Sequence, residues 1–293
     1  MPSQTDTEIF VAISLIPHVG GKLMRILLKH FRTPAAVLQA DEKTLRAVPG
    51  IGRQTAQQIL HLNVAAVARS IKRWQRDGIL ILTWDAEDYP ASLRQLADAP
   101  PVLFKRGNWN TQCQPAVAIV GTREPTSSAT QFTQLLAYSL AGQRWDIVSG
   151  LARGIDTAAH EGALAAVPDG TTVAVLGSGV KSIYPADNRA LAARILDRGA
   201  LLSEVAPEAS PASTHLVARN RLISGLSRGV VMVEAGESSG AFHTVRFAQQ
   251  QQRPVVVVDL PAAGNQHLIR EGFPSISPDQ EGIETLITLL SPS

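Results

Sequence analysis

The chain is nearly devoid of cysteine: Cys113 is the single thiol in 293 residues. That excludes an intrachain disulfide framework and any cysteine-built metal site, and it suits a reducing compartment. An excess of one charge is missing too, since 27 Lys and Arg stand against 25 Asp and Glu, for a net charge of +2. So small a surplus gives no bulk attraction for polyanions. Any phosphate site therefore has to be a local cluster of Arg side chains and backbone N–H groups. No apolar run approaches the roughly 20 residues needed to span a bilayer. The opening segment MPSQTDTEIF has no basic stretch leading into an apolar one, as a secretory signal would. A cytoplasmic protein with no membrane partner is expected. There is no Walker A pattern, no complete three-glycine dinucleotide fingerprint, no solenoid-period repeat and no low-complexity tract. P-loop hydrolysis and a resident NAD or FAD are therefore not expected, and neither is any other cofactor or metal.

What is present can build a core. Hydrophobic residues make up 45% and charged residues 18%, which argues against global disorder. The length suggests about two domains. Residues 1–75 carry apolar positions at three- and four-residue spacing, as in Leu23, Ile26, Leu27 and Ala56, Ile59, Leu60, and read as a small all-helical domain. Residues 76–113, with Pro90, Pro100 and Pro101, read as an irregular connector. Residues 114–293 alternate short apolar runs with amphipathic segments, the pattern of βαβ units and a mostly parallel, doubly wound α/β sheet. The runs are Val117–Val120, Ile147–Val148, Val173–Leu176, Leu201–Leu202, Val230–Val233 and Val255–Val258. They are short, rich in β-branched residues and apolar on both faces, as buried parallel strands are. The amphipathic segments between them are 128–141, 156–166, 187–197, 217–226 and 240–251.

Each apolar run ends in small or polar residues. Val120 leads into Gly121-Thr122-Arg123, and Val148 into Ser149-Gly150 with Arg153, Gly154 and Asp156 close behind. Leu176 leads into Gly177-Ser178-Gly179, Leu202 into Ser203-Glu204, and Val233 into Glu234 with Ser239-Gly240 opening a helix. In an open α/β sheet these ends share one edge, where ligands bind. Glycine admits close backbone approach, helix N-termini offer unpaired N–H groups, and guanidinium forks match phosphate. Arg219-Asn220-Arg221 lies between the fourth and fifth runs, near the same edge. The candidate phosphate contacts are Gly121, Thr122, Arg123, Ser149, Gly150, Arg153, Gly154, Gly177, Gly179, Arg219, Asn220, Arg221, Ser239 and Gly240. No catalytic residue is assigned, and His160 reads as a packed helix histidine. In the helical domain, Val48-Pro49-Gly50-Ile51-Gly52-Arg53-Gln54-Thr55-Ala56 fits a helix-hairpin-helix turn, with Leu15-Ile16-Pro17-His18-Val19-Gly20-Gly21-Lys22 as a degenerate copy. Such a pair serves either DNA contact or protein packing.

Taken in order, these segments resemble the DprA/Smf family. The resemblance runs through Tyr89-Pro90-Ala91-Ser92-Leu93, Val117–Arg123, Ser149–His160, Val173–Gly179, Ile183–Asn188, Leu202–Glu204, Arg219–Ser227 and Val233–Ala235. It implies an extended Rossmann-like domain behind a SAM-like helical one. It further implies single-stranded DNA binding, loading of RecA recombinase during natural transformation, and a homodimer. By position, the family's DNA pocket falls on Arg123, Ser149, Gly150, Arg153, Arg219, Asn220 and Arg221. The sequence departs from the family where Thr214-His215-Leu216-Val217 replaces a Phe-Pro step, which leaves His215 as the candidate base-stacking side chain. It departs again at Ser239-Gly240-Ala241-Phe242-His243 and at Val258-Asp259-Leu260-Pro261. The C-terminal winged-helix domain of many members is expected to be lacking. Two other functions remain as alternatives. One is a nucleotide-binding sensor. The other is a LOG-like phosphoribohydrolase using Glu204 or Glu234, although the glycine run and following Glu of that chemistry are not present.

Overall fold

The computed structural model describes residues 4–110 and 114–290, so Cys113 lies outside the described residues. Six helices come first: α1 (Gln4–Ser14), α2 (Gly21–Phe31), α3 (Pro34–Gln39), α4 (Glu42–Arg46), α5 (Arg53–Leu60) and α6 (Val64–Arg76). Their starts are written in the sequence. The Thr33 hydroxyl accepts from Ala36 N at 3.2 Å, the Asp41 carboxylate from Thr44 N at 2.7 Å, and the Asn63 amide oxygen from Ala66 N at 2.9 Å. The two hairpin turns match residue for residue. Ile51 N bonds to Val48 O at 3.1 Å and Val19 N to Ile16 O at 3.0 Å. Gly50 has φ +89, and His18 occupies the same left-handed place at φ +70.

The remaining elements are β1 (Ile79–Thr83), α7 (Ala91–Arg94), β2 (Val102–Gly107), β3 (Ala116–Val120), α8 (Ser127–Gly142), β4 (Asp146–Ser149), α9 (Ile155–Ala165) and β5 (Thr172–Val175). After a 3-10 turn at 186–188 come α10 (Arg189–Arg198), β6 (Ala200–Ser203), α11 (Ser213–Ala218), α12 (Asn220–Leu226), β7 (Gly229–Met232) and α13 (Ala241–Gln250). The chain continues through β8 (Val255–Val258), α14 (Ala263–Arg270), β9 (Ser275–Ile276) and α15 (Gln280–Leu290). The nine strands form one sheet in the order β1-β2-β6-β5-β4-β3-β7-β8-β9. From β6 to β9 every pairing is parallel, whereas β1–β2 and β2–β6 are antiparallel. This is a Rossmann-like α/β fold behind a SAM-like helical unit.

Alternation along the strands builds both faces. Val117, Ile119, Ile147, Val231 and Val256 pack on one side with residues of α8, α9 and α15. Ala118, Val120, Val148, Val230 and Met232 pack on the other with residues of α12, α13 and α14. The helical unit is fused to the first face. Its core is continuous with Val102, Phe104, Ala174 and Leu201, and the Trp74 ring meets Phe104 edge-on at 5.2 Å. The Trp74 indole also donates to the Glu208 carboxylate at 2.9 Å.

The stretch expected as an irregular connector differs. Residues 76–113 supply two strands, β1 and β2, that extend the sheet beyond β6. The prolines of this stretch lie between the strands or just before β2; β2 is held by β6 partners more than ninety residues away, such as Phe104 opposite Ser203, and β1 is held by β2. The expected helix over 217–226 breaks at Arg219 into α11 and α12, and the one over 187–197 begins with the 3-10 turn.

Candidate functional site

Strands β3 to β6 are laid down in one direction along the sheet, and β7 to β9 in the other. The direction reverses between β3 and β7, and loops leaving neighbouring strands there part to leave a crevice. A cavity of about 350 Å³ occupies this place, lined by the β3 end (Gly121, Thr122, Arg123), Ala152 and Asp156, α11–α12 (Leu216, Val217, Arg219, Asn220), and the α13 start (Ser239, Gly240, His243, Thr244).

At the floor lies a buried clasp. The Asp156 carboxylate accepts from Gly150 N at 3.1 Å and Ala152 N at 3.2 Å, and the Arg219 guanidinium stands 3.9 Å away. Arg219 also donates to the Val175 carbonyl. Burial pushes the Asp156 carboxyl up, while Arg219 and the two amides oppose it. Burial pushes Arg219 down, against the pull of Asp156, with Arg123 adding like-charge repulsion. Guanidinium keeps its proton in proteins, so a cation faces the crevice from below. The site needs glycine at 150, because a Cβ there would lie 1.8 Å from the Arg219 guanidinium. It needs glycine at 154 as well, where φ is +75 and a Cβ would meet Thr122 O at 2.4 Å.

The upper rim is braced from beneath. The Glu234 carboxylate accepts from Thr126 N at 2.7 Å and Thr126 Oγ1 at 3.0 Å, and Glu234 O accepts from Thr122 N at 2.7 Å. Ile155 N donates to Thr122 O at 3.1 Å. The loop between is thereby fixed with Arg123 exposed and without a hydrogen-bond or ion-pair partner among the described residues. Asn188 braces the neighbouring loop by donating to Leu151 O and to Thr157 Oγ1, each at 2.9 Å.

Gly121, Thr122, Arg123, Arg219, Asn220, Ser239 and Gly240 meet at this crevice. Other expected contacts do not. Ser149 is fully buried and donates to Ile119 O at 2.7 Å, so it acts in the core. The Gly150 amide, expected to be free for phosphate, is taken by Asp156. Gly177 and Gly179 admit the backbone of Leu216 and of Ala206–Pro207 and do not line the cavity. Arg153 stands outside it, paired with Asp187 at 2.6 Å in an exposed bridge. Arg221 points away and is bridged to Glu204 and, at 3.6 Å, to Asp98. Helical geometry explains this, since residues two apart on a helix do not share a face. His215 is exposed and off the lining, which Leu216 and Val217 supply instead. His160 is buried, with Nδ1 2.7 Å from Thr172 Oγ1. That hydroxyl donates to Ile147 O, so Nδ1 carries the hydrogen. Burial, with a smaller push from Arg219, drives its pKa down to about 3, and the ring is neutral at pH 7. Sequence reasoning placed Asp156 and Glu234 at the strand ends without assigning their bracing roles, and it missed Asn188 and His243 as parts of the site. An acid in the first turn of α9 was the visible signal for Asp156.

Residues 80–286 match the family model for DNA recombination-mediator protein A. This chain belongs to the DprA/Smf family. Residues 10–61 match a SAM-like helix-hairpin-helix tandem. The Smf protein of Synechocystis sp. is 35% identical over 258 residues, 86% of this chain and 64% of that protein. The chain thus spans just under two thirds of that DprA/Smf relative's length. The solved DNA processing protein A of Streptococcus pneumoniae superposes with a TM-score of 0.80 at 27% identity, over 97% of this chain and 98% of that one. A Helicobacter pylori DNA processing protein A, whose single-stranded DNA binding mode has been described structurally, matches with a TM-score of 0.64 at 31% identity, over 72% of this chain and 96% of that one. Among the described residues of this DprA/Smf chain, no helix is long and apolar enough to cross a membrane.

Proposed function

We propose that this chain binds single-stranded DNA at the crevice between β3 and β7 and acts as a recombination mediator without altering the strand chemically. The observation that carries the reading is Arg123. It is an exposed guanidinium with no hydrogen-bond or ion-pair partner among the described residues, held by a braced loop above a second, buried guanidinium at the sheet's switch point. The two cations supply an electropositive seat for a backbone phosphate, and Asn220 adds hydrogen-bonding capacity beside them. Leu216 and Val217 offer an apolar wall to a splayed sugar or base, with exposed His215 beside them for stacking. A hydrolytic role is disfavoured by the two candidate bases. Glu234 is engaged by Thr126, and Glu204 by Arg221. The proposal extends to loading of RecA during natural transformation, a homodimeric state and a cytoplasmic location, which the resemblance to the DprA/Smf family supports.

Fluorescence anisotropy with oligo-dT tests the reading. Arg123→Ala is expected to weaken binding roughly tenfold or more, the scale of one charged hydrogen-bond contact. It should also flatten the salt dependence by about 0.7 in slope, the value for one phosphate on a single strand. A duplex of equal length should bind more weakly. Unchanged affinity and slope in the variant would remove the proposed grip.

A further inference from the structure

We propose that a second cavity, between the start of α2, the segment after α7 and the end of α13, is an anion site for the phosphate group of a small phosphorylated ligand. It measures about 530 Å³ and is lined by Lys22, Gln95, Asp98, Gln250, Gln252 and Arg253, among others.

Arg253 carries the argument. It is half-buried, and its guanidinium Nε has neither solvent access nor a hydrogen-bond partner. Burial pushes its pKa down, and no carboxylate among the described residues bridges it. A guanidinium half withdrawn from water without a counter-charge is an arrangement that an anion at its exposed part relieves. Lys22, on α2, faces the same cavity and also lacks a partner among the described residues. The one carboxylate on the lining, Asp98, stands 3.6 Å from Arg221 and is engaged there. Two unneutralised cations therefore converge from different parts of the chain.

The helix end beside the cavity closes with an ordinary left-handed cap. Gln252 sits at φ +57, and Arg253 N closes α13 on Ala248 O at 2.8 Å. An L-residue held left-handed costs roughly 1–2 kcal/mol, which is tolerated where the direction of the chain matters. The Gln95, Gln250 and Gln252 amides offer donors and acceptors to the remainder of a ligand. The cavity is separate from the crevice at the sheet edge. Gly240, Ala241, His243 and Thr244 line the one, and Phe247, Gln250, Gln251, Gln252 and Arg253, further along α13 and past its end, line the other. The proposal does not depend on the DNA reading.

Calorimetric titration of the full chain with inorganic pyrophosphate tests it, in wild type, Arg253→Gln, Lys22→Gln and Arg123→Ala. Binding that survives Arg123→Ala but weakens roughly tenfold or more in Arg253→Gln and in Lys22→Gln supports the site. Oligo-dT affinity should stay unchanged in the last two variants. Pyrophosphate binding abolished by Arg123→Ala and untouched by the other two overturns the site while leaving the crevice intact. Absence of binding at millimolar pyrophosphate overturns it as well. Lys22 is exposed, so its variant tests the site even if Arg253→Gln loses stability.

Discussion

Gly150→Ala puts the floor of the crevice under direct test. The added methyl would stand 1.8 Å from the Arg219 guanidinium, well inside van der Waals contact. Arg219 is 6% exposed and Asp156 7%, and the one open side of the guanidinium is the crevice, so a displaced Arg219 moves into the ligand seat. To escape, it must leave the Val175 carbonyl and its place opposite Asp156. Breaking one side of a buried ion pair costs about 3–5 kcal/mol, and overpacking a core about 1–3 kcal/mol. Partial relaxation shares these effects, so a net destabilisation of about 3 kcal/mol is expected. For a chain of this size that is a fall in Tm of roughly 6–12 °C. Urea denaturation supplies the free energy, and oligo-dT anisotropy at a temperature where the variant is folded supplies the affinity, which should drop with the displaced cation. Gly236→Ala is the matched control, since nothing lies within 4 Å of its added carbon. If Gly150→Ala held both stability and affinity within about 0.5 kcal/mol of wild type, a typical value for neutral surface changes, the buried clasp would be wrong.

Arg221→Ala should separate structure from binding. It strips Glu204 and Asp98 of their cation, and a loss of about 3 kcal/mol in stability is expected with unchanged oligo-dT affinity of the folded fraction; a large affinity loss at full stability would place Arg221 on the DNA. Burial pushes the Asp146 carboxyl up to about 6, with the Trp109 indole hydrogen bond pulling the other way. The folded chain therefore holds the extra proton between about pH 4 and 6, stability falls as pH rises through that window, and above it the ionised group costs about 3 kcal/mol. Asp146→Asn keeps an acceptor for Trp109, so its urea midpoint should exceed wild type at pH 7.5 and converge with it at pH 4; a gap independent of pH would refute this. His18→Gly, at φ +70 in the first hairpin, should stabilise by about 0.5–1 kcal/mol, and a lower Tm in calorimetry would show that the His18 side chain contributes more than its backbone strain costs.

The amino-acid order alone determined the parallel strands, the helices between them and the edge on which glycines and Arg123 collect. Strands buried on both faces read as near-continuous apolar runs, and parallel connections return every strand end to the same side, so Val117–Val120 or Val255–Val258 could be read without a partner in view. The hairpin turns were legible for the same local reason: Pro49-Gly50-Ile51-Gly52 encodes its own backbone path. Tertiary structure decided the rest. Strand β2 joins the sheet through pairing with β6, a contact between segments about a hundred residues apart that no local pattern announces, and β1 is added on the outer edge of β2. Which cations reach the crevice was settled by helix rotation and burial, which turned Arg219 inward and Arg221 toward Glu204. Which amides are free was settled by Asp156, whose carboxylate occupies the pair that the glycines of 150–154 seemed to offer a ligand. Hydrogen-bond and charge satisfaction are collective properties of the folded chain: a donor is available only when nothing else in the protein has reached it first.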